Sequence, residues 1–270
     1  MLTLTGTCAL GLYAASLALY IWRLYSDRRV VGRIATLLLS AALLAHYFAL
    51  MERAHLVHAV PYEDLYGSMS LFGWFLGITY LGLELYHRQQ SVAPFVLPLV
   101  VVLSGLATVL APATAHPAPA RGTIFALHVT TNILAYSAFT LSFVFSAIYL
   151  GHNRLLRSRR LGTVAWRMPS LELLERMTRS GVLVGLVTSA LGMTFGLMVE
   201  DRVRGSYFSF DPKEMISLLI LIAYGSYLWL ERTTAWRGAR ASLLCMLNYM
   251  AVLFSYTIVN LFLSRFHRFN

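Results

Sequence analysis

Charge is scarce in this chain. Only 13% of its 270 residues are Asp, Glu, Lys or Arg, against 58% hydrophobic. So few ionisable groups cannot cover the surface of a water-soluble domain of this size, which leaves an integral membrane protein. Lysine is almost missing: Lys213 stands alone, and every other basic residue is arginine. Cysteine is limited to Cys8 and Cys245, far apart and without metal-ligand spacing. Both sit inside apolar runs, so buried thiols are expected. The absence of Cys-x-x-Cys excludes a thioredoxin-like redox motif and covalent c-type attachment of a cofactor to this chain. No internal repeat and no soluble domain are visible.

What is present is a series of eight apolar runs, near 2–22, 34–51, 66–86, 93–111, 124–150, 181–199, 214–230 and 242–264. Each is long enough to cross about 30 Å of hydrocarbon as a helix. Lipid offers backbone groups no hydrogen-bond partner, so the expected fold is all-α. It is a polytopic membrane helical bundle, one integral membrane domain over 1–270. The first run lacks a basic leader and is expected to be retained as a helix.

The net charge of +10 raises the question of nucleic acid. Its distribution answers it. The connections near 23–33, 87–92, 152–180 and 232–240 hold 15 of the 22 basic residues. The positive-inside rule assigns that set to the cytoplasm, both termini and the 200–213 loop to the outside, and explains the basic balance without nucleic acid. Within 152–180, Ser170 is placed to cap a short interfacial helix with Leu173, Leu174 and Met177 on one side. The prolines of the outward segment 112–122 exclude a helix there.

One stretch concentrates polar chemistry: Arg204-Gly-Ser-Tyr-Phe-Ser-Phe-Asp-Pro-Lys-Glu214. Asp211 as cap, Pro212 at the first helical position and Glu214 three residues after the cap read as a helix start. That leaves Tyr207, Phe208 and Phe210, which are either interfacial anchors or an aromatic shelf for a flat ligand. Of eight histidines, His46 falls inside the second span, where a buried, hydrogen-bonded ring is the preferred reading. His87 and His152 fall on the cytoplasmic side, the other five at the outer surface. His128 heads a small, polar face with Thr131, Asn132 and Ala135 at helical spacing. His267 follows a polar stripe of Tyr249, Tyr256, Asn260 and Ser264, and such a stripe in a membrane helix faces protein or a cavity. Two imidazoles at one membrane level can ligate a single iron from opposite sides if their nitrogens lie about 4 Å apart, twice a usual metal–nitrogen distance.

The Gly-Ser-Tyr-Phe-Ser-Phe-Asp-Pro-Lys-Glu segment resembles the tryptophan-rich WGSYWSWDPKE signature of the CcsA/ResC cytochrome c biogenesis proteins. It differs where Arg204, Phe208 and Phe210 replace the family's tryptophans. His128-Val-Thr-Thr-Asn-Ile-Leu-Ala-Tyr-Ser-Ala-Phe is similar to the family's fifth-helix motif. Asn260-Leu-Phe-Leu-Ser-Arg-Phe-His267 is similar to its C-terminal motif. Val60-Pro61-Tyr-Glu-Asp-Leu-Tyr66-Gly-Ser68, the 169–176 segment and Trp236-Arg237-Gly238 extend the similarity, which is densest over 123–270.

The resemblance implies a haem-handling core over 123–270 that binds non-covalent, b-type haem between His128 and His267. Arg204, Tyr207, Phe208, Phe210 and Asp211 belong to the intervening loop. It implies presentation of haem to apocytochrome c at the outer face of a bacterial cytoplasmic membrane, beside a CcsB/ResB-like partner. On that reading the chain is the haem-presenting subunit of a cytochrome c synthase complex, not a stand-alone enzyme. The family's further histidine in the seventh helix corresponds to Trp229, and an indole cannot ligate iron. An alternative is a HemX-like membrane protein linked to haem biosynthesis or its regulation. A small-molecule transporter is disfavoured by the lack of paired intramembrane acids and of broken helices in two matching halves.

Overall fold

The computed structural model describes residues 4–26, 28–57, 65–110, 122–158, 167–205 and 212–254. Among them the regular structure is eight α-helices. They are α1 (Leu4–Tyr25), α2 (Arg29–Val57), α3 (Leu65–His87), α4 (Ala93–Leu110), α5 (Gly122–Arg157), α6 (Leu171–Arg204), α7 (Pro212–Leu230) and α8 (Ala239–Phe254). Six, α1 to α6, are long and apolar enough to span a membrane, and α7 and α8 contribute shorter apolar helices. The expected helical membrane bundle is therefore the architecture found. The chain divides into two compact units, residues 1–121 with 155–170, and residues 122–154 with 171–270.

In the first unit, α1 buries Gly6, Ala9, Tyr13, Ser16, Tyr20 and Leu24. Their three- and four-residue spacing draws one stripe along the helix. Small residues bring its neighbours close. A Cβ at Gly77 of α3 would lie 3.0 Å from Leu43 Cδ2 of α2, and one at Gly73 would lie 3.1 Å from Ser104 Oγ of α4. Trp74 donates its indole N–H to the Leu43 carbonyl at 2.9 Å. The outward faces carry exposed Trp22, Leu37, Phe48, Leu85 and Val102, as lipid-facing surfaces require.

The second unit is built on a glycine seam. Gly181, Gly185, Gly192 and Gly196 share one face of α6, and each receives a side chain of α5: Ser142, Phe139, Asn132 and His128 respectively. Small residues at helical spacing let membrane helices approach closely, where dispersion rather than hydrophobic exclusion supplies the attraction. Phe139 also stacks on Tyr224 of α7, with ring centroids 3.8 Å apart and planes 4° from parallel. Asn248 of α8 donates to the Ala223 carbonyl at 2.8 Å, and Tyr249 shares a 2.8 Å hydrogen bond with Thr140. Gly238 opens α8 with φ of +76°, a left-handed conformation that L side chains resist. A Cβ there would also lie 2.8 Å from the Tyr149 hydroxyl.

Several boundaries differ from the sequence expectation. The short interfacial helix after Ser170 and the span near 181–199 are one continuous helix, α6, of 34 residues and about 51 Å. Nothing between Met177 and Gly181 breaks it, and Gly181 is held against Ser142 and the Ala138 carbonyl. Helices α2 and α5 likewise extend past their apolar runs, because hydrophobicity marks the lipid depth and not the end of the hydrogen-bonded ladder. Cys245 is buried as expected, but Cys8 is exposed on the outward face of α1. Helix α7 starts at Pro212, where a first-turn proline predicts. The proline-rich 112–121 stretch and the last part of the eighth span lie outside the described residues.

Candidate functional site

His128 occupies the second turn of α5 and is half buried. Its Nδ1 lies 2.8 Å from the Gly192 carbonyl oxygen of α6. A carbonyl only accepts, so Nδ1 carries the proton, and the neutral ring then has its acceptor lone pair on Nε2. Asn132 lies one turn further on, 3.4 Å from Nδ1, but gives its N–H to the His128 carbonyl at 2.7 Å. Thr131 donates to the Leu127 carbonyl at 2.6 Å. These bonds turn the polar side chains back onto their own helix.

The ring is seated as well as oriented. A Cβ at position 196 would lie 2.8 Å from both Cε1 and Nδ1 of His128, and one at position 192 would lie 2.7 Å from Asn132 Nδ2. Phe125 packs beside the ring with centroids 6.3 Å apart. A histidine whose Nδ1–H is held by a carbonyl is the usual arrangement of a metal-ligating imidazole, because the bond fixes both the tautomer and the ring plane.

The other residues singled out by sequence fall differently. Arg204 is the last residue of α6, and only its backbone is described. Tyr207, Phe208, Phe210, Asp211 and His267 lie outside the described residues. His46 is buried at 4% exposure, and both ring nitrogens are engaged, Nδ1 with the Tyr13 hydroxyl at 3.2 Å and Nε2 with Ser70 Oγ at 2.8 Å. It is a hydrogen-bonded interior histidine. Trp229 is 71% exposed, so its indole points away from the interior of its unit.

The fit to haem is testable on the donor set. Among the described residues no three His, Cys, Asp or Glu side chains converge on a point. A porphyrin brings its own four nitrogens and needs few ligands from the protein, and a histidine with its tautomer fixed is of a type suited to that task.

A family profile described as Cytochrome C assembly protein matches residues 62–267. The chain belongs to the cytochrome c assembly family. The match takes in α3 to α8, including the glycine seam and His128. Similar proteins include Protein HemX of Brevibacillus brevis, 28% identical over 251 residues, covering 91% of each chain. The cytochrome c biogenesis protein CcsA of Synechococcus sp. (strain CC9311) is 25% identical over 287 residues, covering 95% of this chain and 93% of its own. CcsA of Pyropia yezoensis is 22% identical over 290 residues, covering 93% and 91%.

Its long apolar helices together with that family make this a multi-pass membrane protein. Sequence reading missed the device that holds His128, the Gly192 carbonyl and the Gly196 gap. The signal was present as four glycines spaced four, seven and four residues apart.

Proposed function

We propose that this cytochrome c assembly protein binds non-covalent, b-type haem and presents it to apocytochrome c. His128 and His267 would hold its iron. Tyr207, Phe208 and Phe210 would offer aromatic faces to the flat macrocycle, Arg204 would be a cationic partner for a propionate, and Asp211 belongs to the same loop segment. Haem supplies vinyl carbons that add cysteine thiols of the acceptor. This chain's residues bind, orient and shield the group. The observation that supports the reading is the Nδ1–H bond from His128 to the Gly192 carbonyl, which fixes the ring tautomer.

On this reading the haem-handling core comprises residues 123–270 of the membrane domain, and the chain lies in a bacterial cytoplasmic membrane, in contact with lipid, with both termini outside. It acts beside a CcsB/ResB-like partner as the haem-presenting subunit of a cytochrome c synthase complex. Nucleic acid has no part in it, since the arginines mark topology.

A HemX-like role in haem biosynthesis or its regulation has one specific point in its favour, the 28% identity to Protein HemX along 91% of both chains. Reconstitution separates the two. The chain is co-expressed with a ResB-like partner and an apocytochrome c in cells lacking their own assembly proteins. Haem-staining cytochrome that depends on the chain is the expected result. No covalent cytochrome, together with a changed rate of tetrapyrrole synthesis, assigns the HemX-like role instead.

A further inference from the structure

The haem reading leaves the arginines of the first unit without a use. The stretches 23–33, 87–92 and 155–170 of that unit hold nine arginines against one acid, Asp27. A topology signal needs only positive charge in each connection, and lysine serves it as well as arginine. The fold gathers these arginines at one end of the unit and divides them into two kinds.

Two are tied into the frame. Arg23, in the last turn of α1, donates to the Ser26 carbonyl at 2.8 Å, and Arg167 donates to the Leu24 carbonyl at 2.9 Å. These carbonyls lie at or just past the end of α1, where no further helical turn supplies a donor. Gln90 brings the turn after α3 to the same end. Its amide occupies the place a Cβ on Gly32 would take, and it donates to Thr36 Oγ1 at 3.0 Å. Arg88, two residues earlier, closes α3 with φ of 53° and is exposed. Arg28, Arg29 and Arg33 are exposed at the start of α2. Glu84 is 2% exposed and is held by Tyr20 at 2.7 Å and Thr36 at 2.6 Å, so it faces inward. Among the described residues no carboxylate pairs with Arg28, Arg29, Arg33 or Arg88.

The surface that continues from these charges is apolar. Arg29 and Arg33 are one turn apart and head the exposed face of α2, which runs on through Ile34, Leu37, Leu44 and Phe48. Trp22 and Tyr25 of α1 are exposed at the same end, and such rings settle at the level of lipid headgroups. Cationic forks, then aromatic rings, then an apolar stripe complement one kind of molecule along its length, a phospholipid. A guanidinium grips two phosphate oxygens at once, which an ammonium cannot do. A zwitterionic headgroup carries its own cation, so the surplus of arginine favours an anionic one. A free phosphate would engage the arginines and leave the stripe without a role.

We propose that the start of α2 binds an anionic phospholipid. Arg29 and Arg33 hold its phosphate, with Arg28 and Arg88 beside them, and an acyl chain lies along Ile34 and Leu37. The site needs no haem. The test is native mass spectrometry of the full chain, delipidated in neutral detergent and titrated with phosphatidylglycerol or phosphatidylcholine. Phosphatidylglycerol is expected to bind more tightly. Arg29→Gln/Arg33→Gln is expected to weaken it about fivefold for each charge removed. Arg232→Gln/Arg240→Gln, which removes two exposed arginines of the second unit, is expected to keep the native affinity. Soluble glycerophosphoglycerol, the same headgroup without chains, is expected not to displace the lipid. If the first variant fails to fold, photoactivatable phosphatidylglycerol on the native chain is expected to label α2 within 29–37. Equal affinity for the two lipids, an unchanged Arg29→Gln/Arg33→Gln variant or equal loss in both variants overturns the proposal. So does labelling only elsewhere, while displacement by the soluble headgroup assigns the arginines to free phosphate instead.

Discussion

Replacing Gly196 with alanine tests the seat of His128 without replacing a proposed ligand. The new Cβ would lie 2.8 Å from Cε1 and Nδ1 of the imidazole, whereas carbon atoms settle at about 3.5–4.0 Å. Either the ring moves by roughly 0.7–1.2 Å or α5 and α6 separate by that amount. The Nδ1 to Gly192 bond starts at 2.8 Å, so a shift of that size along it stretches the bond to or past the limit of hydrogen-bonding range. Overpacking of this kind costs about 1–3 kcal/mol of stability, and the lost bond about 1 kcal/mol more.

The functional effect follows from ring orientation. Losing a partner that orients a ligating histidine weakens metal binding about 10–100-fold. The assay is haem titration of the purified protein followed by visible absorption. Gly185→Ala is the control, because its Cβ strains the same seam against Phe139, well away from His128. Both variants should melt lower, and only Gly196→Ala should lose haem affinity. Equal affinity in Gly196→Ala and the native chain, or equal loss in both variants, would refute the seating argument.

Two further outcomes concern the frame. His46→Leu removes the partner of Tyr13 and Ser70 and should cost about 1–3 kcal/mol in thermal unfolding while leaving the haem spectrum unchanged, since both its nitrogens are already engaged. Gly238→Ala forces an L residue into φ of +76° against the Tyr149 hydroxyl and should lower stability by about 1–2 kcal/mol or more, read by the same melt.

The helices were legible because hydrocarbon thickness sets the length of an apolar run, and Pro212 marked the start of α7. Their ends were less so. A helix lying at an interface and one crossing the membrane carry the same periodic signal, and no breaker separates them in α6. Cys8 was misplaced because an apolar run does not say which of its faces meets lipid. His128 could be singled out by its polar neighbours, but its seat could not. Gly192 and Gly196 come from a different helix, and the register between α5 and α6 is a packing result. Glu84 shows the same limit. An acid three residues from the end of a span reads as an interfacial charge until Tyr20 and Thr36, distant in sequence, close over it.

The central claim is bis-histidine ligation of haem by His128 and His267. Its most direct test is the reduced and oxidised absorption spectrum of the detergent-purified chain beside its His128→Ala, His267→Ala and double variants. The account predicts a low-spin, six-coordinate spectrum in the native chain, weakened in each single variant and absent from the double. An unchanged low-spin spectrum in the double variant would contradict it.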